Sequence, residues 1–445
     1  MTEIEFRTAG EIAADIRRGQ VSSREVTERL LARVDADSAV NAVVETCAEA
    51  SLRAATAADE AVAAGQELGP LHGVPVTVKE AINVAGLHTT WGNPAFADHV
   101  ADWDAALVRR LRGAGAIVVG KSNVHMMLAD YGQTANEVYG RTSNPRDVTR
   151  TPGGSSGGGA AALAAGMTYL EQGSDLVGSI RLPAAYCGVY GLKPSTGVVP
   201  LHGFQPPGPP AVETEFPNLC SIGPLARSAA DLRTALQVTG GPVSGPMSWR
   251  LTPSRHQRLT DFRVGMVLDH QRAPVSSEVG AVLSDTVDAL ARRGVKVVEG
   301  WPEDVDPVDE VEAFGFQLGL YFALHGSDPD FASLAEVIEQ EHRRMAARAA
   351  WQRYFRDVDV FLSPTTFTTA FPHDSRPFDE RTITTSHGEQ PYDCQVFWIS
   401  HASLTGFPAL NLPAGPSPDG LPVGLQVVGP WHEDDTAITF AELAC

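Results

Sequence analysis

The chain is poor in cysteine and has no long apolar run. Its five cysteines, Cys47, Cys187, Cys220, Cys394 and Cys445, are scattered, odd in number and without a CxxC pair. That excludes a disulfide framework and a cysteine zinc site as organising devices. No apolar stretch approaches the ~20 residues that a membrane helix needs. The first residues, MTEIEFRTAGEIAADIRRG, lack the charged-then-apolar order of a secretory signal, so the cytoplasm is the default expectation. No HExxH or comparable ligand spacing appears, and neither a catalytic metal nor a cofactor is expected. Basic residues are also scarce. Against 54 acidic side chains stand 34 Lys and Arg, a formal net charge of −20. Such a surface disfavours nucleic acid and anionic membrane as partners, and its plainer consequence is solubility.

What is present is ordinary globular material: 445 residues, 43% hydrophobic and 20% charged, enough for a sizeable core. Residues 8–64 read as helices, with Thr8 capping EIAADIRR, Ser22 or Ser23 capping REVTERLLARVD, and an alanine-rich helix at about 48–65. PLHGVPVTVKE (70–80) switches to strand: Val74, Val76 and Val78 alternate and Lys79 closes the run. DAALVRRLRGAG (104–115) is an amphipathic helix stopped by glycine, and AIVVG (116–120) is a wholly apolar strand of the kind buried on both faces. Further strands are expected at 262–269, 295–300, 360–364 and in PALNLPAG and GLPVGLQVVGP, the last two paired; further helices are expected at 278–294 and 334–359. Residues 201–218 and 241–260, rich in proline and glycine, read as surface loops. The alternation predicts a layered α/β architecture, with no repeat and no clear domain boundary, so that 1–445 is taken as one domain.

Two short motifs invite readings that their context rejects. Gly115-AIVV-Gly120-Lys121-Ser122 matches GxxxxGK[ST], but its middle residues are themselves the strand and cannot wrap a phosphate. Gly154-Ser155-Ser156-Gly157-Gly158 resembles a nucleophile elbow, yet TSNPRDVTRTPG before it is no apolar strand. The run 152–197 is glycine- and serine-rich but carries Ile180, Val189 and Tyr190, which flexible linkers lack. Cys187 within it reads as a small packed residue rather than a nucleophile.

Amide hydrolysis needs an activated nucleophile, a proton route and donors for an oxyanion. Ser179 sits in the turn-rich DLVGSIR, where the N–H groups of Leu176, Val177, Gly178 and Ser179 run consecutively; Ser155 sits in a glycine loop; Lys79 ends an apolar strand, where burial would leave some of it neutral. Spacing alone does not choose Ser155 over Ser156, or Ser179 over Ser174.

GGSSGGGAAALAAGM and GSDLVGSIRLPAAYCGVYGLKP closely resemble the amidase signature family. GPLHGVPVTVKEAINVAGLHTT, GAGAIVVGKSNVHMM, YGRTSNPRDVTRTPGGSSGG, LTGFPALNLPAG and GLPVGLQVVGP extend the likeness over most of residues 5–440. The resemblance implies a large mixed β-sheet covered by helices on both faces, with a signature core at about 70–200. It implies Lys79 as the catalytic base, Ser155 as a proton shuttle held at a non-proline cis peptide, and Ser179 as the nucleophile of an acyl-enzyme route. It also implies that Asp175 and Arg181 brace the nucleophile turn as an ion pair.

One departure is plain: the family's run before the nucleophile is D-x-G-G-S, and here Val177 replaces the first glycine. Valine is strained there if the position needs positive φ, and otherwise only narrows the pocket; the intact remainder of the motif favours the second reading. His125, Met126, Met127 and GFQPPGPP (203–210), with Phe204, are expected to line an acyl pocket, which favours small apolar or aryl acyl amides. The competing functions are acyl transfer to an amine on the same acyl-enzyme, the glutamine-hydrolysing subunit of a tRNA-dependent amidotransferase, and an inactive binding homologue. A small-molecule amide as partner, and a monomer or homodimer, complete the expectation. The chain stops at ITFAELAC, where the family often carries a longer final helix, so a clipped or frayed C-terminus is expected.

Overall fold

The computed structural model describes residues 3–208, 219–244, 248–326 and 330–445. Part of each expected surface loop, 209–218 and 245–247, lies outside the described residues. In chain order the strands are β1 (Val43–Thr46), β2 (Pro75–Lys79), β3 (Ile117–Ser122), β4 (Ala135–Asn136), β5 (Gly140–Arg141), β6 (Leu170–Asp175), β7 (Tyr190–Lys193) and β8 (Ser221–Ala226). They continue as β9 (Arg263–Met266), β10 (Lys296–Glu299), β11 (Val360–Pro364), β12 (Thr382–Thr385), β13 (Gly388–Pro391), β14 (Ala409–Pro416) and β15 (Pro422–Val428).

Eleven of them form one sheet in the order β1-β3-β2-β6-β8-β7-β14-β15-β11-β9-β10. β4–β5 and β12–β13 are separate two-stranded pairs. The large sheet is mixed. β3, β2 and β6 run parallel, as do β11, β9 and β10, while β8, β7, β14 and β15 pair antiparallel between those two blocks. Every residue of β2, β3, β6, β8 and β11 is buried, so both faces of the sheet are covered. Twelve α-helices do the covering among the described residues.

The local signals in the sequence have their expected structural counterparts. Thr8 accepts from the Glu11 N–H and Glu11 reaches back to the Thr8 N–H, a complete capping box on Ala9–Arg17. Ser22 caps Ser23–Asp35, and the alanine-rich helix runs Ala48–Ala63. Val43–Thr46, inside the stretch read as all helix, is instead the edge strand β1. Its VVET is β-branched but too short to outweigh the helical periodicity around it. Residues 117–122 of the GxxxxGK[ST] match are strand β3, buried throughout, as its apolar centre required. Helices Pro307–Gly326 and Gln395–Thr405 were not expected; both carry apolar residues around their circumference and so lack a readable stripe. At the C-terminus, residues 434–444 are helical rather than frayed.

Candidate active site

β2 ends on Lys79, and the helix Gly157–Ala164 packs across β2 and β6 beneath it. This helix begins with three glycines because neighbouring chain comes too close for side chains: Thr134 at Gly157, Asn123 at Gly158 and Glu171 at Gly159. A Cβ on Gly158 would lie 2.3 Å from the Asn123 nitrogen. The preceding loop carries a cis peptide at Gly154–Ser155, as the resemblance implied.

Lys79 is fully buried, and its Nζ bonds three serine hydroxyls: Ser155 at 2.8 Å, Ser156 at 2.9 Å and Ser174 at 2.9 Å. Among the described residues no carboxylate bonds it. Burial pushes the ammonium down to about 7, against the weaker pull of Cys220, Asp175 and Glu171. A neutral amine has two N–H groups and one lone pair, so it donates to two of the hydroxyls and accepts from the third. With Ser155 as that third partner, the Lys79 lone pair faces the Ser155 hydroxyl proton. Ser156 also bonds the Ser174 carbonyl at 3.2 Å and receives the Ser174 N–H, which places it in the scaffold between loop and strand.

β6 ends on Asp175, whose carboxylate organises the following turn. Its oxygens accept from the N–H groups of Gly178 (2.9 Å), Ile180 (3.1 Å) and Arg181 (3.3 Å). The fully buried Arg181 guanidinium grips both oxygens, at 3.0 and 2.9 Å. Its remaining N–H groups reach Ile399 O, Gln426 Oε1 and Ser403 Oγ, so helix Gln395–Thr405 and strand β15 share the anchor. Burial raises the Asp175 carboxyl, but Arg181, Lys193 and the Ile180 N–H outweigh it and hold the group below the usual carboxylate range. The expected ion pair is therefore present with full burial.

This arrangement narrows the set of N–H groups free to serve as the expected oxyanion donors. The Gly178 N–H was expected among them, but it points at Asp175 and is spent there. Leu176, Val177 and Ser179 keep N–H groups with no hydrogen bond inside the chain among the described residues. Gly178 holds φ +79°, and a Cβ there would lie 2.8 Å from Leu182 Cδ1, so this glycine is obligatory. Val177, by contrast, does not have positive φ. The substituted glycine sits at the position that tolerates a side chain, and the strain reading fails.

Ser155, Ser174 and Ser179 open onto one cavity of about 240 Å³. Its walls are Trp91, Met127, Leu128, Tyr131, Leu176, Val177, Phe204, Cys220, Leu318, Tyr321, Phe322 and Phe378. Trp91 and Phe204 stack with centroids 4.9 Å apart. Met127 and Phe204 thus line the pocket as expected, Met127 with φ +50°. His125 does not line it; it precedes the short turn Met126–Leu128, and burial lowers its imidazole. Met126 is exposed. Of GFQPPGPP, Pro209 and Pro210 lie outside the described residues. Among the described residues the one charged residue in the wall is Asp130, and it is already satisfied by the Gly132 N–H, the Tyr392 hydroxyl and Arg381.

Sequence reasoning missed the contribution of the segment Pro307–Gly326, which supplies Leu318, Tyr321 and Phe322 to the cavity. It also missed the number of buried lysines. The chain has four, and Lys79, Lys121 and Lys193 are all fully buried. That scarcity is itself a signal, since solvent-facing lysine is normally abundant.

The amidase family profile matches residues 25–323 and 312–438. An acylamidase of Rhodococcus erythropolis is 33% identical over 464 aligned positions, covering 98% of this chain and 94% of that protein. A glutamyl-tRNA(Gln) amidotransferase subunit from Salinispora tropica is also 33% identical, covering 98% and 96%. Among solved structures, an amidase superposes with TM-score 0.81 at 27% identity, covering 98% of this chain and 99% of that one. Motif, site geometry and full-length similarity agree: the chain belongs to the amidase signature family.

Proposed function

We propose that this protein hydrolyses small apolar or aryl acyl amides through an acyl-enzyme on Ser179, with Ser155 as proton shuttle and Lys79 as base. The observation that carries the reading is the buried Lys79 Nζ, bonded to serine hydroxyls rather than to a carboxylate, two of which, Ser155 and Ser174, line an aromatic cavity together with Ser179. In the proposed route Ser179 Oγ forms a bond to the carbonyl carbon while its proton passes to Ser155 and that of Ser155 to Lys79. The oxyanion is held by the N–H groups of Leu176, Val177 and Ser179. The C–N bond then breaks, the proton returns through Ser155 to the leaving nitrogen, and water cleaves the ester by the same relay.

The same acyl-enzyme would serve transfer to an amine, and the similarity to amidotransferase subunits keeps glutamine in view as a substrate. A glutamine head group carries both charges, and among the described residues the cavity wall offers only Asp130, whose oxygens are already engaged. The wall therefore favours an uncharged acyl group.

The test is intact-mass spectrometry after a serine-reactive fluorophosphonate, followed by turnover of aryl acyl amides and glutamine. One adduct on wild type and none on Ser179→Ala, with aryl acyl amides preferred over glutamine, is the expected result. An adduct that persists on Ser179→Ala would overturn the nucleophile assignment, and preference for glutamine would overturn the substrate class. Added amines diverting product from acid to new amide would assign acyl transfer instead.

A further inference from the structure

Glu171 is a fully buried carboxyl on β6 that the proposed route leaves unused. It pairs in register with Thr77 of β2. The Thr77 hydroxyl donates to its Oε2, and the Ser122 hydroxyl donates to Oε1 at 2.6 Å. Thr77 and Lys79 are two residues apart and share one face of β2. Ser122 is the register partner of Lys79 on β3. The carboxyl therefore lies on the flank of Lys79, under the helix Gly157–Ala164. Space for it exists because residue 159 has no side chain: a Cβ there would stand 2.3 Å from Glu171 Cγ.

We propose that Glu171 is a positioning residue for this site, the buried counter-charge that sets the charge of Lys79; the inference rests on reading Lys79 as the base. Cys220 and Asp175 pull on the Lys79 ammonium as well, ahead of Glu171. Asp175, on the same strand, is neutralised by Arg181. Lys121, on β3, donates to the carbonyls of Glu80, Ile82 and His88, and the Glu80 carboxyl caps the Thr90 and Trp91 N–H groups. Cys220, leading into β8, adds a thiol. The covering helix, GGGAAALA, and β8, SIGPLA, contribute no ionisable side chain.

Burial pushes Glu171 up to about 7, opposed by Ser122, Thr77, Lys79 and Lys121, while Lys79 is pushed down to about 7. The two groups thus hold one proton between them near neutral pH, as ammonium and carboxylate or as amine and acid, with the same net charge. The two hydroxyl donors favour the carboxylate and so the ammonium. Above this range the shared proton is gone and the pair is amine and carboxylate; a proton that then arrives at Lys79 from Ser179 forms a cation the carboxylate stabilises, which makes Lys79 the stronger base.

The experiment measures the rate of Ser179 labelling by the fluorophosphonate against pH, on wild type, Glu171→Gln and Ser122→Ala, with Ser179→Ala in parallel. Removing the carboxylate lowers the affinity of Lys79 for its proton. In Glu171→Gln the acid limb is expected to move down by about 0.5–1 pH unit and the plateau to fall several-fold. In Ser122→Ala, which weakens the carboxylate's support, a smaller shift in the same direction is expected. A merely structural role would lower the rate without moving the limb, and an unmoved limb in folded Glu171→Gln overturns the proposal. If that variant does not fold, an unmoved limb in Ser122→Ala overturns it. Labelling that survives in Ser179→Ala would instead sink the hydrolase reading on which the inference rests.

Discussion

Replacing Asp175 with asparagine tests how the nucleophile turn is held. The carboxylate accepts three backbone N–H groups and two guanidinium N–H groups, all in a site without solvent. Asparagine keeps one acceptor oxygen and turns an NH2 group toward donors, so Arg181 is left charged, buried and half unpaired. Breaking a buried pair in this way costs about 3–5 kcal/mol. Unfolding entropy of about 2.1 cal/mol/K per residue makes roughly 0.9 kcal/mol/K for a chain of 445 residues, so Tm should fall by about 3–5 °C. The proposed oxyanion donors ride on the same turn, so acylation should fall by about 10²–10³. The effect has a pH signature. Asp175 titrates below its unfolded value, so its contribution is present above the ordinary carboxylate range and is lost as pH falls through the lowered folded value. The Tm difference between wild type and Asp175→Asn should therefore be full near neutrality and shrink in acid. Scanning fluorimetry and probe labelling read both quantities. A Tm within about 1 °C of wild type together with an unchanged labelling rate would refute the bracing argument.

Other outcomes follow from the same geometry. Under the proposed route neutral Lys79 is the reactive form and burial pushes the group down to about 7, so kcat/KM should fall roughly tenfold per pH unit below that value and level off above it; a flat profile through pH 7 would remove Lys79 as base. Gly178→Ala places a Cβ 2.8 Å from Leu182 at φ +79°, and should cost about 1–3 kcal/mol and abolish most labelling; a variant as stable and active as wild type contradicts the turn described. Val177→Gly relieves no strain, since Val177 already has ordinary φ; it should destabilise by about 0.5–1 kcal/mol and change kcat/KM less than tenfold, most for bulky acyl groups. A large gain in kcat would restore the case that Val177 silences the enzyme. Phe204→Ala removes the partner stacked on Trp91, and should raise KM for aryl acyl amides more than for acetamides; equal effects on both would place the acyl group elsewhere.

Elements whose causes are local were legible in the amino-acid order. Capping at Thr8 and Ser22, the apolar strand at 116–120 and the helices at 278–294 and 334–359 rest on neighbours a few residues apart, and each stands in the structure. Lys79, Ser155 and Ser179 were singled out by the resemblance of the signature runs to the amidase signature family, since spacing alone did not choose between neighbouring serines. The rest waited on long-range packing. Whether position 177 needs a glycine depends on the path of the turn, which Asp175 and Arg181 fix from outside it, and they place the left-handed residue at Gly178 instead. The same bonds withdrew the Gly178 N–H from the oxyanion set. His125 left the pocket and Leu318, Tyr321 and Phe322 entered it because the wall is assembled from segments nearly 200 residues apart. Glu171 meets Lys79 only through the β2–β6 register and the space at Gly159. Local pattern carries the energy of a turn or a cap, whereas proton affinity and pocket shape arise from groups that only the folded chain brings within a few ångströms.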